Sequence, residues 1–345
     1  MKHPLLGKTL PELKEIVSNA GMPSYSAGQI ADWLYKKKIR QIDDMNNISK
    51  KFRAQLSETF EIGCSLPVNS QKSTDETVKY LFQTHDNRYV ETVCIPDDDR
   101  TTLCVSSQVG CKMNCLFCMT GKQGFSGNLS ACDIINQIQS CPESEQLTNI
   151  VFMGMGEPLD NTEEVFKAVE ILTSDYGYAW SPKRITISTV GIKKNIDKLL
   201  HETDCHIAIS LNSPFPEERA RLMPIEKTNP LKEILEKIKR HDFGRQRRVS
   251  FEYILFKGIN DSLVHAKELV KILSGIPCRI NLIRFHRIPD VNLETSDMQT
   301  IETFQQYLTA KNMVCKLRKS RGEDIFAACG MLFAVRRHPR GTVQD

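Results

Sequence analysis

The chain has 345 residues, 40% of them hydrophobic, and a formal net charge of +4. That length supports one large α/β domain with a smaller one beside it, and no apolar run approaches the roughly 20 residues that a membrane-spanning helix needs. Its twelve cysteines fall well below the roughly 8–10% typical of secreted disulfide scaffolds. Because the first residues also lack the apolar core of a signal peptide, we expect a cytoplasmic protein with reduced thiols and no membrane partner.

Residues 1–75 are predicted to form a small helical domain. One helix opens at residues 10–13, a second covers residues 26–38, and a third segment carries Ile48, Phe52 and Leu56 at helical spacing. Lysines and arginines accompany the second and third segments. We therefore expect residues 1–75 to be an accessory RNA-binding domain.

Residues 76–105 change to the two-residue period of β-strands, and they are predicted to form a short β extension. The strands are expected at residues 78–82, 89–93 and 102–105, separated by the turn residues Asp86-Asn87 and Pro96-Asp97.

Residues 106–335 alternate strands and helices, which predicts a parallel sheet. Strands are expected at 149–153, 184–188, 206–211, 249–256, 279–285 and 314–317, and helices from Ser130 and at 162–173, 231–240, 262–273 and 300–310. The strands are nearly continuous apolar runs, as expected when both faces are buried. The pattern favours an α/β fold, a partial (β/α)6 barrel, with residues 336–345 as a basic C-terminal tail.

Three cysteines, Cys111, Cys115 and Cys118, lie within one short loop. Three thiolates can hold a [4Fe–4S] cluster and leave one iron open to chelate the amino and carboxylate groups of S-adenosylmethionine. Zinc sites usually add a second pair of ligands some distance along the chain, and no matching pair lies within the next fifty residues. The spacing, with Phe117 before the last cysteine, resembles the radical S-adenosylmethionine superfamily.

Polar residues and glycines follow several predicted strands, where a barrel of this kind binds its ligands. Glu157 follows the first of these strands and offers an acceptor for an ammonium group. Ser188, Ser210 and Asn212 follow later strands, and their hydroxyl and amide groups suit ribose and carboxylate groups. His286 follows another strand, where a histidine is as often structural as ligand-facing.

Basic residues form five local clusters, which together favour a polyanionic partner such as RNA. They are Lys36-Lys37-Lys38 with Arg40, Lys50-Lys51 with Arg53, Arg245 with Arg247-Arg248, Lys316 with Arg318-Lys319 and Arg321, and Arg336-Arg337 with Arg340. Two other classes of protein are alternatives: an RNA-binding protein with a structural cluster, and a radical enzyme that acts on a small molecule. A structural cluster is normally closed by a fourth cysteine, and the basic clusters disfavour a small substrate.

Two further cysteines narrow the resemblance to one family. Cys104 precedes the loop within residues 102–110, and Cys329 lies within residues 322–330. Together with Glu91-Thr92-Val93, these segments resemble the RlmN/Cfr family, radical S-adenosylmethionine enzymes that methylate an adenine of 23S ribosomal RNA. The resemblance extends from the helical N-terminus to about Leu332.

The resemblance implies a mechanism and partners. Cys329 would carry the methyl group, Cys104 would resolve the intermediate through a transient disulfide, and Glu91 would act as the base. The residues around S-adenosylmethionine would be Gly156, Glu157, Ser188, Ser210, Leu211, Asn212 and His286. The implied partners are 23S ribosomal RNA, transfer RNA and an electron donor such as flavodoxin or ferredoxin. We expect a monomer.

The sequence departs from the family pattern at a few positions. Asn212-Ser213 stands where His-Ala is usual, His286 where Asn is usual, and Gly127 where Arg is often found. The motifs do not separate methylation at C2 of the adenine from methylation at C8, as in the Cfr branch. Residues 1–75 and 321–325 favour the C2 branch.

Overall fold

One mixed sheet of ten strands forms the centre of the computed structural model, which describes residues 2–244 and 247–334. Two pairs of short strands lie outside that sheet. In chain order the strands are β1 (His3–Pro4), β2 (Phe60–Glu61), β3 (Asn69–Lys72), β4 (Val78–Gln83), β5 (Tyr89–Asp97), β6 (Arg100–Cys104), β7 (Gln108–Gly110), β8 (Phe125–Asn128), β9 (Asn149–Phe152), β10 (Ile185–Thr189), β11 (His206–Ser210), β12 (Val249–Leu255), β13 (Cys278–Arg284) and β14 (Val314–Leu317).

The α-helices precede, follow and separate these strands. They are α1 (Leu10–Asn19), α2 (Ser26–Ala31), α3 (Lys50–Thr59), α4 (Met119–Lys122), α5 (Ala131–Gln139), α6 (Thr162–Thr173), α7 (Lys193–Glu202), α8 (Pro216–Leu222), α9 (Leu231–Arg240), α10 (Leu263–Leu273) and α11 (Met298–Ala310). Within the described residues, no helix is long and apolar enough to cross a membrane.

The parallel part of the sheet confirms the predicted partial barrel. Strand β6 pairs in parallel with β9, and parallel pairing continues strand by strand to β14. Helices follow β6 and each of β9 to β13, which gives six strand–helix units and a last strand. Because β14 and β3 are the two ends of the sheet order, the barrel stays open. The C-terminal ends of the parallel strands meet at one edge, where such folds place their ligands.

The predicted β extension belongs to this same sheet. Strands β3, β4 and β5 pair antiparallel with one another, and β5 pairs antiparallel with β6. Val93 lies opposite Cys104 in that last pair. The strand that carries Glu91 is therefore bonded directly to the first strand of the barrel.

The N-terminal helices pack on the outside of the barrel, against α5 and α6. Leu5 and Leu6 are fully buried, and Lys167 on α6 pairs with Glu12 on α1 at 3.1 Å. Gly7 has a φ of +81°, and a Cβ there would lie 2.7 Å from the carbonyl carbon of Ala131. This close approach requires glycine and fixes the N-terminal segment on the start of α5. That start carries the predicted capping box, with Ser130 and Asp133 bonded reciprocally.

Several short elements were not predicted. They include strands β3, β7 and β8 and helix α8. Each of these has seven residues or fewer, too few to show a periodic pattern of apolar residues. Helix α7 could have been found, because Ile196, Leu199 and Leu200 are buried at helical spacing.

Candidate active site

The three loop cysteines lie between β7 and α4, in a loop that folds back on itself. The Cys111 amide donates to the carbonyl of Gly124 at 3.0 Å, and the Cys118 amide donates to the carbonyl of Cys115 at 3.1 Å. Cys115 is buried, whereas Cys111 and Cys118 are half-buried. The loop thus gathers three thiols at the C-terminal edge of the sheet.

The electrostatics of these thiols fit a thiolate-bound iron–sulfur cluster. Burial raises the pKa of Cys111 to about 12 and the pKa of Cys115 well above its usual value, and in each case the other loop thiols raise it further. Such desolvated, mutually repelling thiols are deprotonated by binding a soft metal centre. Among the described residues, the one set that brings three ligand atoms within 4.8 Å of one another is Cys94, Cys141 and Glu143. The loop cysteines are therefore more widely spaced than a single ion requires.

Glu157 follows β9 and is held in place by its neighbours. Its carboxylate accepts hydrogen bonds from the hydroxyl of Thr189 at 2.5 Å and from the amides of Val190 and Leu159, both at 2.9 Å. Burial is the largest influence on it and raises the pKa of Glu157 to about 7, although the three hydrogen bonds lower it. Glu157 lies near enough to Cys111 and Cys115 to raise the pKa of both thiols. The structure thus brings it beside the cysteine loop.

Gly156 is required by a close approach of the backbone to Gln108. Its φ is +99°, and a Cβ there would lie 2.7 Å from the Gln108 amide nitrogen. The Gln108 side chain accepts from the amide of Glu157 at 2.9 Å. Gly156 therefore allows the turn that presents Glu157.

Arg219 is a buried residue that the sequence analysis missed. Its guanidinium donates to the carbonyls of Val190, Ser210 and Leu211 at 2.8, 2.9 and 3.0 Å. Its charge is compensated by an ion pair with Glu226. By bonding to backbone just beyond β10 and at the end of β11, Arg219 fixes the edge where the predicted ligand residues Ser188 and Ser210 lie. It lies on α8, which was not predicted, so no local signal marked it.

The remaining predicted ligand residues fall into two groups. Ser188 and Ser210 are half-exposed at the ends of β10 and β11, and Leu211 is fully buried. The Asn212 amide accepts from the Ile254 amide at 2.9 Å, and the Asn212 backbone has a φ of +57°. His286 is buried and its Nδ1 lies 3.2 Å from Glu323. In this structure the side chains of Asn212 and His286 are therefore occupied by contacts within the protein.

Glu91 lies on β5 and forms a buried ion pair with Lys79 of β4. The Lys79 Nζ is 3.0 Å from the Glu91 Oε1, and about one tenth of each side chain is exposed. The Phe333 amide donates to the other carboxylate oxygen at 2.9 Å. Lys79 was not among the predicted residues. It lies opposite Val93, two residues along from Glu91, so the hairpin register puts Lys79 and Glu91 in diagonal positions on one face.

Cys104 and Cys329, distant in sequence, are neighbours in space. Burial raises the pKa of Cys104 to about 12, and the Cys329 thiol raises it further. Desolvation of the thiol by the surrounding protein also raises the pKa of Cys329, whereas the Arg318 guanidinium lowers this pKa. The residue as a whole remains exposed to solvent. Cys118 of the loop interacts electrostatically with Cys329 as well. The structure thus brings Cys104, Cys329 and the cysteine loop together.

Arg318 and Glu252 complete this cluster, and neither was a predicted site residue. The Arg318 Nη1 lies 3.6 Å from the Glu252 Oε2. Ser250 and Asn281 donate to the other Glu252 oxygen, each at 2.8 Å. The charge of Arg318 interacts with both Cys104 and Cys329, and Glu252 is its counter-ion.

The C-terminal segment, residues 326–334, packs against the start of α4 and against β5. The Gly330 carbonyl accepts from the Met119 amide at 2.8 Å, and the Leu332 carbonyl accepts from the Thr120 hydroxyl at 2.8 Å. Together with the bond from Phe333 to Glu91, these contacts position Cys329 between the cysteine loop and β5.

The basic clusters differ in whether their side chains are exposed to solvent or paired with other groups of the protein. Lys36, Arg40 and Lys50 are exposed, whereas Lys38 pairs with Glu145 at 2.5 Å. Arg247 donates to carbonyls at the end of α7. Arg245 and the cluster of Arg336, Arg337 and Arg340 lie outside the described residues, as does the predicted tail 336–345.

Gly127 stands where the family often has Arg, and a nearby arginine side chain fills the space beside it. The Arg88 guanidinium occupies the place that a side chain at position 127 would take, and it donates to the carbonyl of Ser126. A cationic group therefore stands next to the hairpin of β7 and β8 in spite of the glycine.

Two family models match the chain. The radical SAM superfamily matches residues 105–270, which include the cysteine loop, β9 and Glu157. The ribosomal RNA large subunit methyltransferase N-terminal domain matches residues 3–62, which contain α1 to α3.

Relatives match over nearly the whole chain. The chain is 62% identical over 331 residues to a probable dual-specificity RNA methyltransferase RlmN of Parabacteroides distasonis, covering 96% of each chain. It is 41% identical over 328 residues to the dual-specificity RNA methyltransferase RlmN of Syntrophus aciditrophicus, covering 94% of each. The crystal structure of a radical SAM methyltransferase from Sphaerobacter thermophilus superposes with a TM-score of 0.89 at 38% identity, covering 96% of this chain and 99% of that one. The chain therefore belongs to the RlmN family of radical SAM RNA methyltransferases.

Proposed function

We propose that this protein methylates carbon C2 of adenine 2503 in 23S ribosomal RNA and of the adenosine beside the transfer-RNA anticodon. The observation that carries the proposal is the proximity of Cys329, on the C-terminal segment, to Cys104 and to Cys118 of the cysteine loop. The relatives' names add dual specificity for RNA. Because both substrates are RNA, we infer that the reaction takes place in the cytoplasm.

The chemistry of the substrate explains why an ordinary methyl transfer is insufficient. Carbon C2 of adenine lies between two ring nitrogens and is electron-poor, so it does not attack the methyl group of a sulfonium. We infer that Cys111, Cys115 and Cys118 hold a [4Fe–4S] cluster, and that S-adenosylmethionine binds beside it. When bound, these groups supply a one-electron route to an organic radical. Flavodoxin or ferredoxin would provide the electron.

The proposed contacts to S-adenosylmethionine follow from the strand ends. Glu157 accepts the ligand ammonium, since its buried carboxylate lies beside both Cys111 and Cys115 of the cysteine loop. The other proposed contacts are Gly156, Ser188, Ser210, Leu211, Asn212 and His286. For Asn212 and His286, binding requires the side chains to exchange their present partners, Ile254 and Glu323.

Cys329 is proposed to carry the methyl group as a thioether and deliver its carbon to C2. Methylation of a thiol consumes the thiolate, and Arg318 favours the thiolate by lowering the pKa of Cys329. The solvent contact of Cys329 supports access for an RNA base.

Glu91 and Cys104 are proposed to complete the reaction. Once the carbon is joined to C2, Glu91 removes the proton from C2 and the adduct gives up the one electron that the electron donor supplied, which would restore the aromatic ring. Lys79 compensates the charge of the Glu91 carboxylate. The Cys104 thiolate attacks the Cys329 sulfur, the bond from that sulfur to the carbon breaks, and the electron pair stays on the carbon, which takes up a proton as the new methyl group. The product is a Cys104–Cys329 disulfide, which a thiol reductant must reopen.

Mass spectrometry of the purified chain tests the roles of both cysteines. We expect a methyl group on Cys329 in the wild-type protein, and in Cys104→Ala we expect a covalent RNA adduct at Cys329 that is not released. Cys205→Ala is the control, since Cys205 lies in the core away from these thiols. An unmethylated Cys329, or normal turnover by Cys104→Ala, contradicts these roles. Digestion of the product RNA distinguishes 2-methyladenosine from 8-methyladenosine, the Cfr-type alternative.

The proposed cluster ligands are tested separately with Cys118→Ala. Loss of one of three thiolates should remove the iron and the cleavage of S-adenosylmethionine together. The measurements are iron content and formation of 5′-deoxyadenosine after anaerobic reconstitution, with Cys278→Ser as a cysteine control outside the loop. A Cys118→Ala variant that keeps both properties shows that the ligands are other residues.

A further inference from the structure

A second group of sulfur and oxygen ligands lies on the helix-facing side of the sheet, apart from the active site. Cys94 lies on β5, and Cys141 and Glu143 follow the end of α5. The two sulfurs and a Glu143 carboxylate oxygen all lie within 4.8 Å of one another. Cys94 and Cys141 are 1% and 2% exposed, and Glu143 is half-exposed.

The pleat of β5 separates this group from Glu91. Side chains alternate between the two faces of a strand, so Thr92 and Cys94 share the face opposite Glu91 and Val93. Thr92 bonds to Gln137 of α5 at 2.6 Å, which shows that α5 covers this face. Tyr80 lies directly opposite Thr92 on β4. Cys94, Cys141, Glu143 and Tyr80 therefore meet between the sheet and the end of α5.

Each of the two carboxylate oxygens of Glu143 accepts a hydrogen bond from a different side chain. Tyr80 donates its hydroxyl to Oε1 at 2.6 Å, and the Cys141 thiol donates to Oε2 at 3.0 Å. A buried group that orients a carboxylate in this way is the usual outer partner of a metal ligand. Deprotonation of Cys141 would leave Oε2 and the sulfur directed at the same point.

The surroundings favour a cation at that point. Cys94 and Cys141 are buried and Tyr80 is 4% exposed, so little water competes for the ligand atoms. A divalent cation there would balance the charge of the Glu143 carboxylate and of the two thiolates that it binds.

We propose that Cys94, Cys141 and Glu143 bind one Zn²⁺ ion, with Tyr80 orienting the carboxylate. Two thiolates select a thiophilic ion, and two sulfurs with one carboxylate oxygen are three ligands of the tetrahedral zinc set. The half-exposed side of Glu143 gives the ion an entry path and leaves a fourth position for water. The ion joins β5, which also carries Glu91, to the end of α5. The site stands independently of the proposed RNA methylation.

The test measures zinc on the full chain after its iron–sulfur cluster has been reconstituted, so that the loop cysteines are occupied. After addition of Zn²⁺ and gel filtration, we expect one zinc per chain by elemental analysis. Co²⁺ in place of Zn²⁺ should give the charge-transfer absorption of thiolate-bound cobalt. Cys141→Ser should abolish both signals, and Cys278→Ser should change neither.

Two milder variants keep the test independent of folding. Tyr80→Phe preserves the packing and removes only the hydroxyl, and it should weaken zinc binding about 10–100-fold, the usual cost of losing an outer partner. Glu143→Gln should weaken it at least as much. Circular dichroism checks that both variants are folded. Absence of zinc from the wild-type chain, equal zinc content in Cys141→Ser, unchanged affinity in Tyr80→Phe, or a Cys94–Cys141 disulfide in anaerobically purified protein would each overturn the proposal.

Discussion

The affinity for S-adenosylmethionine should rise with pH through the titration of Glu157. The carboxyl is 3% exposed, and burial raises its pKa to about 7. A ligand ammonium binds the carboxylate and not the carboxylic acid. The apparent affinity is therefore proportional to the fraction of Glu157 that is ionised. That fraction is about one tenth at pH 6 and about nine tenths at pH 8. We therefore expect the dissociation constant to fall about tenfold between these two pH values.

Isothermal titration calorimetry on the reconstituted protein, run anaerobically from pH 6 to pH 8, measures this change. The Glu157→Gln variant should bind more weakly and with little dependence on pH. Thr189→Val removes a hydrogen bond that lowers the pKa of Glu157, so its midpoint should move to higher pH. A pH-independent wild-type affinity, or the same slope in Glu157→Gln, would refute the assignment of the ammonium to Glu157.

The same carboxyl should affect folding with a definite sign. Its pKa is about 7 in the folded chain against an ordinary value of 4.5 for a glutamate, so the folded state binds the proton more tightly. The contribution to the unfolding free energy is fully present below pH 4.5 and is lost as pH rises through about 7. It amounts to roughly 3 kcal/mol, and urea unfolding of the wild type against Glu157→Gln at pH 5 and pH 8 measures it.

Two further predictions concern the N-terminal helices. Lys36→Glu combined with Lys50→Glu should weaken RNA binding and reduce the slope of log K against log salt by roughly 0.7–0.9 per lost phosphate contact. Lys232→Glu on an outer barrel helix is the control. An unchanged slope in the double variant would exclude the surface around Lys36 and Lys50 from RNA binding. Gly7→Ala should cost about 3 kcal/mol or more in urea unfolding, because a Cβ collides with the backbone of α5 at a positive φ. Gly21→Ala has a similar φ but open space, so it should cost only about 1 kcal/mol, and equal losses in the two variants would contradict the collision.

The sequence by itself determined the features that depend on neighbouring residues. The spacing of Cys111, Cys115 and Cys118 predicted the loop, and the capping box of Ser130 predicted the start of α5. The alternation of predicted strands and helices predicted the partial barrel, which the structure and the comparisons confirm. These are properties of short segments, since hydrogen bonds and periodicity act over a few residues. The roles of Cys104, Cys329 and Glu91 came from resemblance, and they remain proposals.

Only the tertiary structure decided which distant residues meet. Glu91 and Phe333 are bonded although 242 residues separate them, and Cys94 lies beside Cys141 because α5 covers one face of β5. Arg219 bonds to the ends of two strands, and Asn212 and His286 turn to Ile254 and Glu323. None of these contacts leaves a local pattern, because a buried charge or thiol is stabilised by whatever the fold brings to it. The sequence thus defined the chemical groups, and packing determined their partners.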